Sequence, residues 1–365
     1  MKFQCPVSKL HTAISKADKI SGKNLSLEVL NFLILEVKGK TLTIKATNLD
    51  IGVIVSVPVK TEEEGLVAVP GNVISSFLSQ ISHEENVTIT TETGNLHIAT
   101  PHTNITIKTH PSDDFPNIPV MEASNAFEID AEKLTQGLRS VWYSAAVSSM
   151  KPELASVFFA AEDGGLIFAA TDSFRLAEKR VKAKHPHEFE RVLIPAKNIP
   201  ELIRVLEQGG TTQIMVEKSQ LAFSVGDTYI TTRLVDGVFP DYKQIIPTAF
   251  IAEATLLKED VINAFKVANI FSDAFHQAKI SLNIKDKTLT IETKNGDIGE
   301  SKVSLEAALS GDSIEMHFNY KYIVDCFQSL NTDSVTIHFS GVGKPVVIKG
   351  VGDTSFLYLV MPMNK

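Results

Sequence analysis

The chain has 365 residues, 44% of them apolar and 21% charged, with a formal net charge of -8. This is the composition of a globular protein of two to four domains, with enough apolar surface for substantial cores. It excludes a bilayer-spanning helix, which needs an unbroken apolar run of roughly 20 residues, and a disulfide framework, since Cys5 and Cys326 are the only cysteines.

Taken from the start, Met1-Lys2-Phe3-Gln4-Cys5-Pro6 lacks the apolar core of a signal peptide, so a cytoplasmic protein is expected. Both cysteines read as small buried apolar residues. Leu10, Ile14 and Ala17 then form the stripe of an amphipathic helix. Thr41-Leu42-Thr43-Ile44-Lys45-Ala46-Thr47-Asn48 is β-branched and alternating, which predicts a strand. Ile74, Phe77, Leu78 and Ile81 predict a second helix. Asp114-Phe115-Pro116-Asn117 marks a boundary, because proline ends a strand and stiffens an extended connection, and a linker is expected near 111–125.

The same elements then return. Leu134, Leu138, Val141, Trp142 and Ala145 form a stripe, with Leu134 lying 124 residues after Leu10. Leu166-Ile167-Phe168-Ala169-Ala170-Thr171-Asp172 repeats the strand. Ile199, Leu202, Ile203 and Leu206 repeat the second helix at an offset of 125. Val238-Phe239-Pro240-Asp241 repeats the boundary, with a linker expected near 240–250. A third copy offers Leu257, Val261, Ala264, Phe265 and Ala268, then Thr288-Leu289-Thr290-Ile291-Glu292-Thr293-Lys294, then Ile323, Cys326, Phe327 and Leu330. Single amphipathic stripes are commonplace. Two of them repeating three times in phase make an internal repeat with a period near 124, and three copies fill the chain. Each copy runs strand, helix, several strands, helix, several strands, which predicts an α+β fold with seven or eight strands per copy and helices packed on antiparallel sheets. The expected domains are 1–120, 121–245 and 246–365.

No catalytic constellation emerges. His185-Pro186-His187-Glu188 has no second ligand pair at zinc-site spacing and reads as a polar loop. Asp113-Asp114 falls in a linker, where turns and caps are the usual role. Gly341-Val342-Gly343-Lys344-Pro345 is a turn: a phosphate loop needs glycine at 338, where His338 stands, and a hydroxyl residue in place of Pro345. No metal or cofactor is expected.

The chain resembles the beta clamp family of bacterial DNA polymerase III over essentially its whole length. The opening Met1-Lys2-Phe3 is similar to the family's usual start. Thr171-Asp172-Ser173-Phe174-Arg175-Leu176-Ala177 resembles its Thr-Asp-Gly-(His/Lys)-Arg-Leu-Ala motif. Leu234-Val235-Asp236-Gly237-Val238-Phe239-Pro240-Asp241-Tyr242 and the ending Tyr358-Leu359-Val360-Met361-Pro362-Met363 match two more. Departures are Ser173-Phe174, Gln244 where a basic residue is frequent, and the last residues Asn364-Lys365.

The resemblance implies three repeated DNA-clamp domains and a head-to-tail homodimer forming a six-domain ring around duplex DNA, bound without regard to sequence. It implies a non-catalytic processivity factor whose partners are the polymerase III alpha subunit, the clamp loader, and other polymerases and repair proteins carrying clamp-binding peptides. The implied peptide cleft is Leu154, Thr171, Phe174, Arg175, Leu176, Pro240, Ile245, Val346, Leu359, Val360, Met361, Pro362 and Met363. An apolar terminus is unusual, since chain ends fray. Residues 355–360 also fit a last core strand, but proline should end that strand and leave Met361 and Met363 at its rim.

The implied ring contact joins Ile105 and Ile107 to Ile270 and Phe271. Alternation also allows Ile105 and Ile107 to be an ordinary core face. A DNA-facing lining would use basic residues on the helices: Lys9, Lys16, Lys19, Lys23, Arg139, Lys151, Lys197, Arg204, Lys258, Lys266 and Lys321. Acidic residues cluster elsewhere, as in Glu62-Glu63-Glu64 and Glu84-Glu85. These cations equally fit the solvated faces of amphipathic helices. The competing readings are a repeat-built hydrolase with a site at a domain interface, and a scaffold that never encircles DNA.

Overall fold

The structure, a computed structural model, describes residues 1–22, 27–81, 85–122, 126–162, 164–183, 191–207 and 209–363. The first repeat runs β1 (Lys2–Pro6), α1 (Val7–Asp18), β2 (Phe32–Lys38), β3 (Thr41–Thr47), β4 (Ile51–Pro58), β5 (Lys60–Glu63) and β6 (Gly65–Pro70). It closes with α2 (Gly71–Gln80), β7 (Asn86–Glu92), β8 (Asn95–Ala99) and β9 (Asn104–Lys108). The second comprises β10 (Phe127–Asp130), α3 (Ala131–Val141), β11 (Ser156–Glu162), β12 (Gly165–Thr171) and β13 (Arg175–Lys182). Then come β14 (Val192–Pro195), α4 (Ile199–Leu206), β15 (Thr211–Glu217), β16 (Gln220–Val225) and β17 (Thr228–Arg233). The third comprises β18 (Ala252–Leu257), α5 (Lys258–Ile270), β19 (Gln277–Asn283), β20 (Thr288–Asn295), β21 (Gly299–Glu306) and β22 (Ala308–Gly311). It ends with β23 (Ile314–Asn319), α6 (Tyr320–Cys326), β24 (Ser334–Phe339), β25 (Val346–Gly350) and β26 (Phe356–Val360).

The predicted helices and strands recur in every repeat. The described residues give nine, eight and nine strands, against the seven or eight expected. The extra ones, β5 and β22, are four-residue strands at sheet edges, too short and too polar to show alternation.

The chain divides into two compact units. Unit 1 comprises Met1–Thr135 with Asn198–Leu234, and unit 2 comprises Gln136–Lys197 with Val235–Lys365. Unit 1 holds a five-stranded sheet, β5-β1-β7-β8-β9, and an eight-stranded one, β10-β15-β16-β17-β4-β3-β2-β6. Unit 2 holds a nine-stranded sheet, β14-β11-β12-β13-β26-β25-β24-β18-β22, and a four-stranded one, β21-β20-β19-β23. All pairings among the described residues are antiparallel. The middle repeat therefore lends strands to both units.

Helix faces explain the cores. In unit 1, α1 buries Val7, Leu10, Ala13, Ile14 and Ala17, the 3.6-residue stripe seen in the sequence, and packs on α2 and on β3 and β4. In unit 2, α5 buries Val261, Ala264, Phe265 and Ala268 and packs on β20 and β21. Each buried Val, Leu, Ile or Phe among them contributes on the order of 1.5–3 kcal/mol of apolar burial, so one charge on either stripe would breach its core. Cys5 and Cys326 are both buried and unpaired, as small apolar residues should be. No helix of the described residues is long and apolar enough to cross a membrane.

Candidate functional site

The site lies in unit 2, where β13 pairs with the last strand. Thr171 ends β12, and its Oγ1 donates to the carbonyl of Arg175 at 2.6 Å. Asp172 Oδ1 accepts from the N–H groups of Phe174 and Arg175 at 2.9 and 3.0 Å. This is the Asx turn that short acidic side chains favour. The turn holds Ser173 at φ 77° and leaves the Phe174 side chain 60% exposed.

From there β13 runs against β26, with Arg175 opposite Val360 and Leu176 opposite Leu359. Side chains alternate across the sheet. On one face Leu176, Leu359, Ala160, Ile167, Ala169 and Val347 join Tyr242 in a core cluster. Phe158, Phe239, Ile246 and Met361 pack against its edge, and the Phe158 and Phe239 rings stack at 5.2 Å. Tyr242 donates its hydroxyl to Glu178 Oε2 at 2.7 Å. Burial, reinforced by the Glu178 carboxylate, pushes the phenol far above its ordinary pKa, so it remains a neutral donor.

On the other face Arg175 is the centre. Its Nε donates to Asp172 Oδ2 at 2.9 Å, Nη1 to Asp325 Oδ2 at 2.6 Å, and Nη2 to the carbonyl of Tyr143 at 2.6 Å. The guanidinium carbon lies 4.6 Å from the Tyr322 ring centroid. Sequence reading singled out Arg175 but missed Tyr143, Tyr322 and Asp325, which lie far along the chain and carry no local signal. Asp172 stood in the Thr171–Ala177 motif that carries the family resemblance, but its turn was not expected.

The tail is fixed by its backbone. Met361 N–H donates to the Phe174 carbonyl at 2.8 Å, and Met363 N–H donates to the His317 carbonyl at 2.7 Å. Met361, Pro362 and Met363 are half-buried, while Phe174, Pro240 and Ile245 are exposed. Those six form the accessible part of the expected cleft. Thr171, Arg175, Leu176, Val346, Leu359 and Val360 lie beneath the surface, because they sit in the middle strands of a nine-stranded sheet and both its faces are covered. Leu154 is buried in the turn after α3, its backbone bonded to Ala146 and Lys151.

The cations divide likewise. Lys9, Lys19, Arg139, Lys151, Lys197, Arg204, Lys266 and Lys321 are exposed. Lys16 departs from expectation: half-buried, it donates to Thr228 Oγ1 at 2.7 Å, and burial lowers its pKa. Lys258 donates to the carbonyl of Leu330 at 2.8 Å, and Arg204 is paired with Glu201 at 2.6 Å. Lys23, Glu84, His185, His187, Glu188, Asn364 and Lys365 lie outside the described residues.

Of the expected ring-contact residues, Ile105 and Ile107 lie on β9, an edge strand in unit 1. Ile107 is only 5% exposed and faces its own core, whereas Ile105 is half-buried. In unit 2, Ile270 is 62% exposed at the end of α5, and Phe271 is half-buried beside Gly299 of the edge strand β21. Phe275 and Ile298 are also exposed, and sequence reading passed over both.

Three family models match in succession: the N-terminal domain of the DNA polymerase III beta subunit over residues 1–119, the central domain over 128–241 and the C-terminal domain over 243–364. A beta sliding clamp from Synechococcus elongatus is 25% identical, covering 100% of this chain and 99% of the relative. One from Vibrio cholerae is 25% identical, with 100% of both chains covered. The crystal structure of the DNA polymerase III beta subunit from Thermotoga maritima superposes with a TM-score of 0.93 at 26% identity, covering 100% of this chain and 99% of that one. A Pseudomonas aeruginosa sliding clamp bound to griselimycin gives 0.94 at 24%, with both chains fully covered.

Proposed function

The chain belongs to the DNA polymerase III beta subunit family, and on that premise we propose how its residues do the work of a sliding clamp. It is a non-catalytic processivity factor of DNA replication, built of three domains of the clamp fold. The domains divide at 1–120, 121–245 and 246–365. Two copies close head to tail into a ring of six domains, through β9 with Ile105 on one side and the region of Ile270 and Phe271 on the other. A heterologous contact closes into a ring when its rotation permits, and near-identical domains turned by equal steps suit closure.

Duplex DNA is held by encirclement, so only sequence-neutral phosphate contacts are wanted. The exposed cations Lys9, Arg139, Lys151, Lys197, Arg204 and Lys266 supply them, whereas Lys16 is half-buried against Thr228. The protein acts in the cytoplasm. Polymerase, clamp loader and other DNA-processing proteins dock by short peptides on the rim of Phe174, Pro240, Ile245, Met361, Pro362 and Met363, with Leu176 and Leu359 forming the floor.

The observation that carries this reading is the tail. Backbone bonds to Phe174 and His317 hold an apolar Met-Pro-Met segment at the surface instead of letting it fray. Methionine adapts to several partners. Burying one or two peptide side chains at about 1.5–3 kcal/mol each, less the cost of ordering them, gives weak to micromolar affinity per site. Phe174 occupies a place usually polar and should reshape peptide preference.

The test is deletion of residues 361–365, followed by sedimentation and by titration with a polymerase C-terminal peptide. The expected result is an intact dimer that no longer binds; unchanged affinity would place the site elsewhere. Encirclement is checked separately by loading the protein on nicked circular DNA, from which it should fall only when the circle is cut.

A further inference from the structure

A cavity of about 160 Å³ in unit 1 has no part in the function proposed above. Its walls are the turn 47–52, linker residues 116–119 and the ends of β16 and β17. The turn is built as the one at Phe174 is. Thr47 Oγ1 donates to the Ile51 carbonyl at 2.8 Å. Asn48 Oδ1 accepts from the N–H groups of Asp50 and Ile51 at 3.1 and 2.8 Å. Leu49 holds φ 75°, against 77° at Ser173.

The strand junction repeats too. Ile51 pairs with Thr232 as Arg175 pairs with Val360. Arg233 N–H donates to the Asp50 carbonyl at 2.9 Å, as Met361 N–H does to Phe174. Pro116 takes the place of Pro240.

Leu49 argues that this is more than an echo of the repeat. A left-handed backbone is strained for leucine and easy for glycine or asparagine. Leu49 is nonetheless there, 39% exposed at the mouth of the cavity. The turn geometry does not require leucine there, and the exposed part of its side chain offers an apolar ligand group a contact.

Composition sets the ligand. Where the cleft of unit 2 has Leu359, Val360 and Met361, the cavity has Thr231, Thr232 and Arg233. The volume accommodates one aliphatic side chain. Of the two charged residues in its walls, Asp50 is half-buried and already engaged, and the exposed Arg233 at the rim suits a carboxylate. We propose that this cavity is a second peptide site, taking an extended segment of a partner protein in which an aliphatic residue adjoins an acidic one. The choice of a peptide as occupant rests on the peptide reading of the unit 2 cleft; the cavity and its Arg233 do not.

The experiment photo-crosslinks the full chain with acetyl-photoleucine-aspartate amide and maps the adducts by mass spectrometry. Adducts are expected within 47–52 and 116–119. They should persist in Phe174→Asp and fall about tenfold in Leu49→Asn, where one aliphatic contact is lost. Arg233→Gln should weaken them too, and an asparagine probe should label wild type less. Leu49→Asn relieves backbone strain, so it should fold. Adducts confined to 171–176 and 361–363, or adducts indifferent to Leu49→Asn, overturn the second site and leave the cleft reading intact. Adducts at the cavity alone support the second site while the cleft reading fails. Adducts at neither place overturn the second site.

Discussion

Arg175 Nη1 lies 2.6 Å from Asp325 Oδ2, a bond that ties the first residue of β13 to α6. The two side chains are unequally placed, Arg175 being 10% exposed and Asp325 42%. Removing Asp325 leaves Arg175 its bonds to Asp172 and Tyr143. Removing the Arg175 side chain leaves Oδ2 of Asp172, a carboxylate 13% exposed, without its charged partner, while Oδ1 keeps the two N–H bonds of the turn. Arg175→Met should therefore cost about 3 kcal/mol and Asp325→Ala only about 1 kcal/mol, read from urea denaturation. Equal losses would show that the Asp325 bond, rather than the stranded Asp172, dominates.

Gly137 in α3 faces the Phe168 ring so closely that a Cβ would lie 2.3 Å from it. Phe168 is fully buried and stacked on Phe159 at 4.8 Å, so it has nowhere to retreat. Alanine would add up to about 1 kcal/mol of helix propensity, but overpacking a filled core costs about 1–3 kcal/mol. Gly137→Ala should lower the melting temperature. A higher one would mean that the ring yields freely.

Glu292 on β20 is bonded to Lys279 and flanked by Lys302. The Lys279 bond and both ammonium charges hold its carboxyl below the ordinary value of 4.5, against the opposing effect of burial. A depressed folded pKa gives stability that is present above the unfolded value and lost as pH falls through the folded one. Glu292→Gln should thus lower the melting temperature at pH 7, and the gap to wild type should close as the medium is acidified below pH 4.5. A gap of the same size in acid would show that the carboxylate charge is not its source.

Ile270, 62% exposed, and its half-buried neighbour Phe271 form the more open side of the proposed ring contact. Replacing both with polar residues should yield folded monomers in sedimentation velocity, with unchanged circular dichroism. Persistent dimers would move the contact elsewhere. Ile107→Asp should instead unfold its sheet, because that side chain is 5% exposed.

What the sequence determined by itself was everything local. The stripes of α1, α3 and α5 and the alternating strands β3 and β20 follow from periodicities of 3.6 and 2, which are properties of a few consecutive residues, and the threefold phase follows from the recurrence of those local patterns. The methionines on either side of Pro362 were legible at the strand's rim for the same reason. Only the tertiary structure decided which strands meet. The middle repeat gives β17 to β4 in one unit and β13 to β26 in the other, and no periodicity announces a partner well over a hundred residues away. That pairing buries Leu176, Leu359 and Val360 while leaving Phe174 exposed. It also sets Tyr322 and Asp325 around Arg175. The basic residues divide for a like reason: Lys9 and Lys16 are seven positions apart on one helix and look alike in sequence, but the fold brings Thr228 within reach of Lys16 alone.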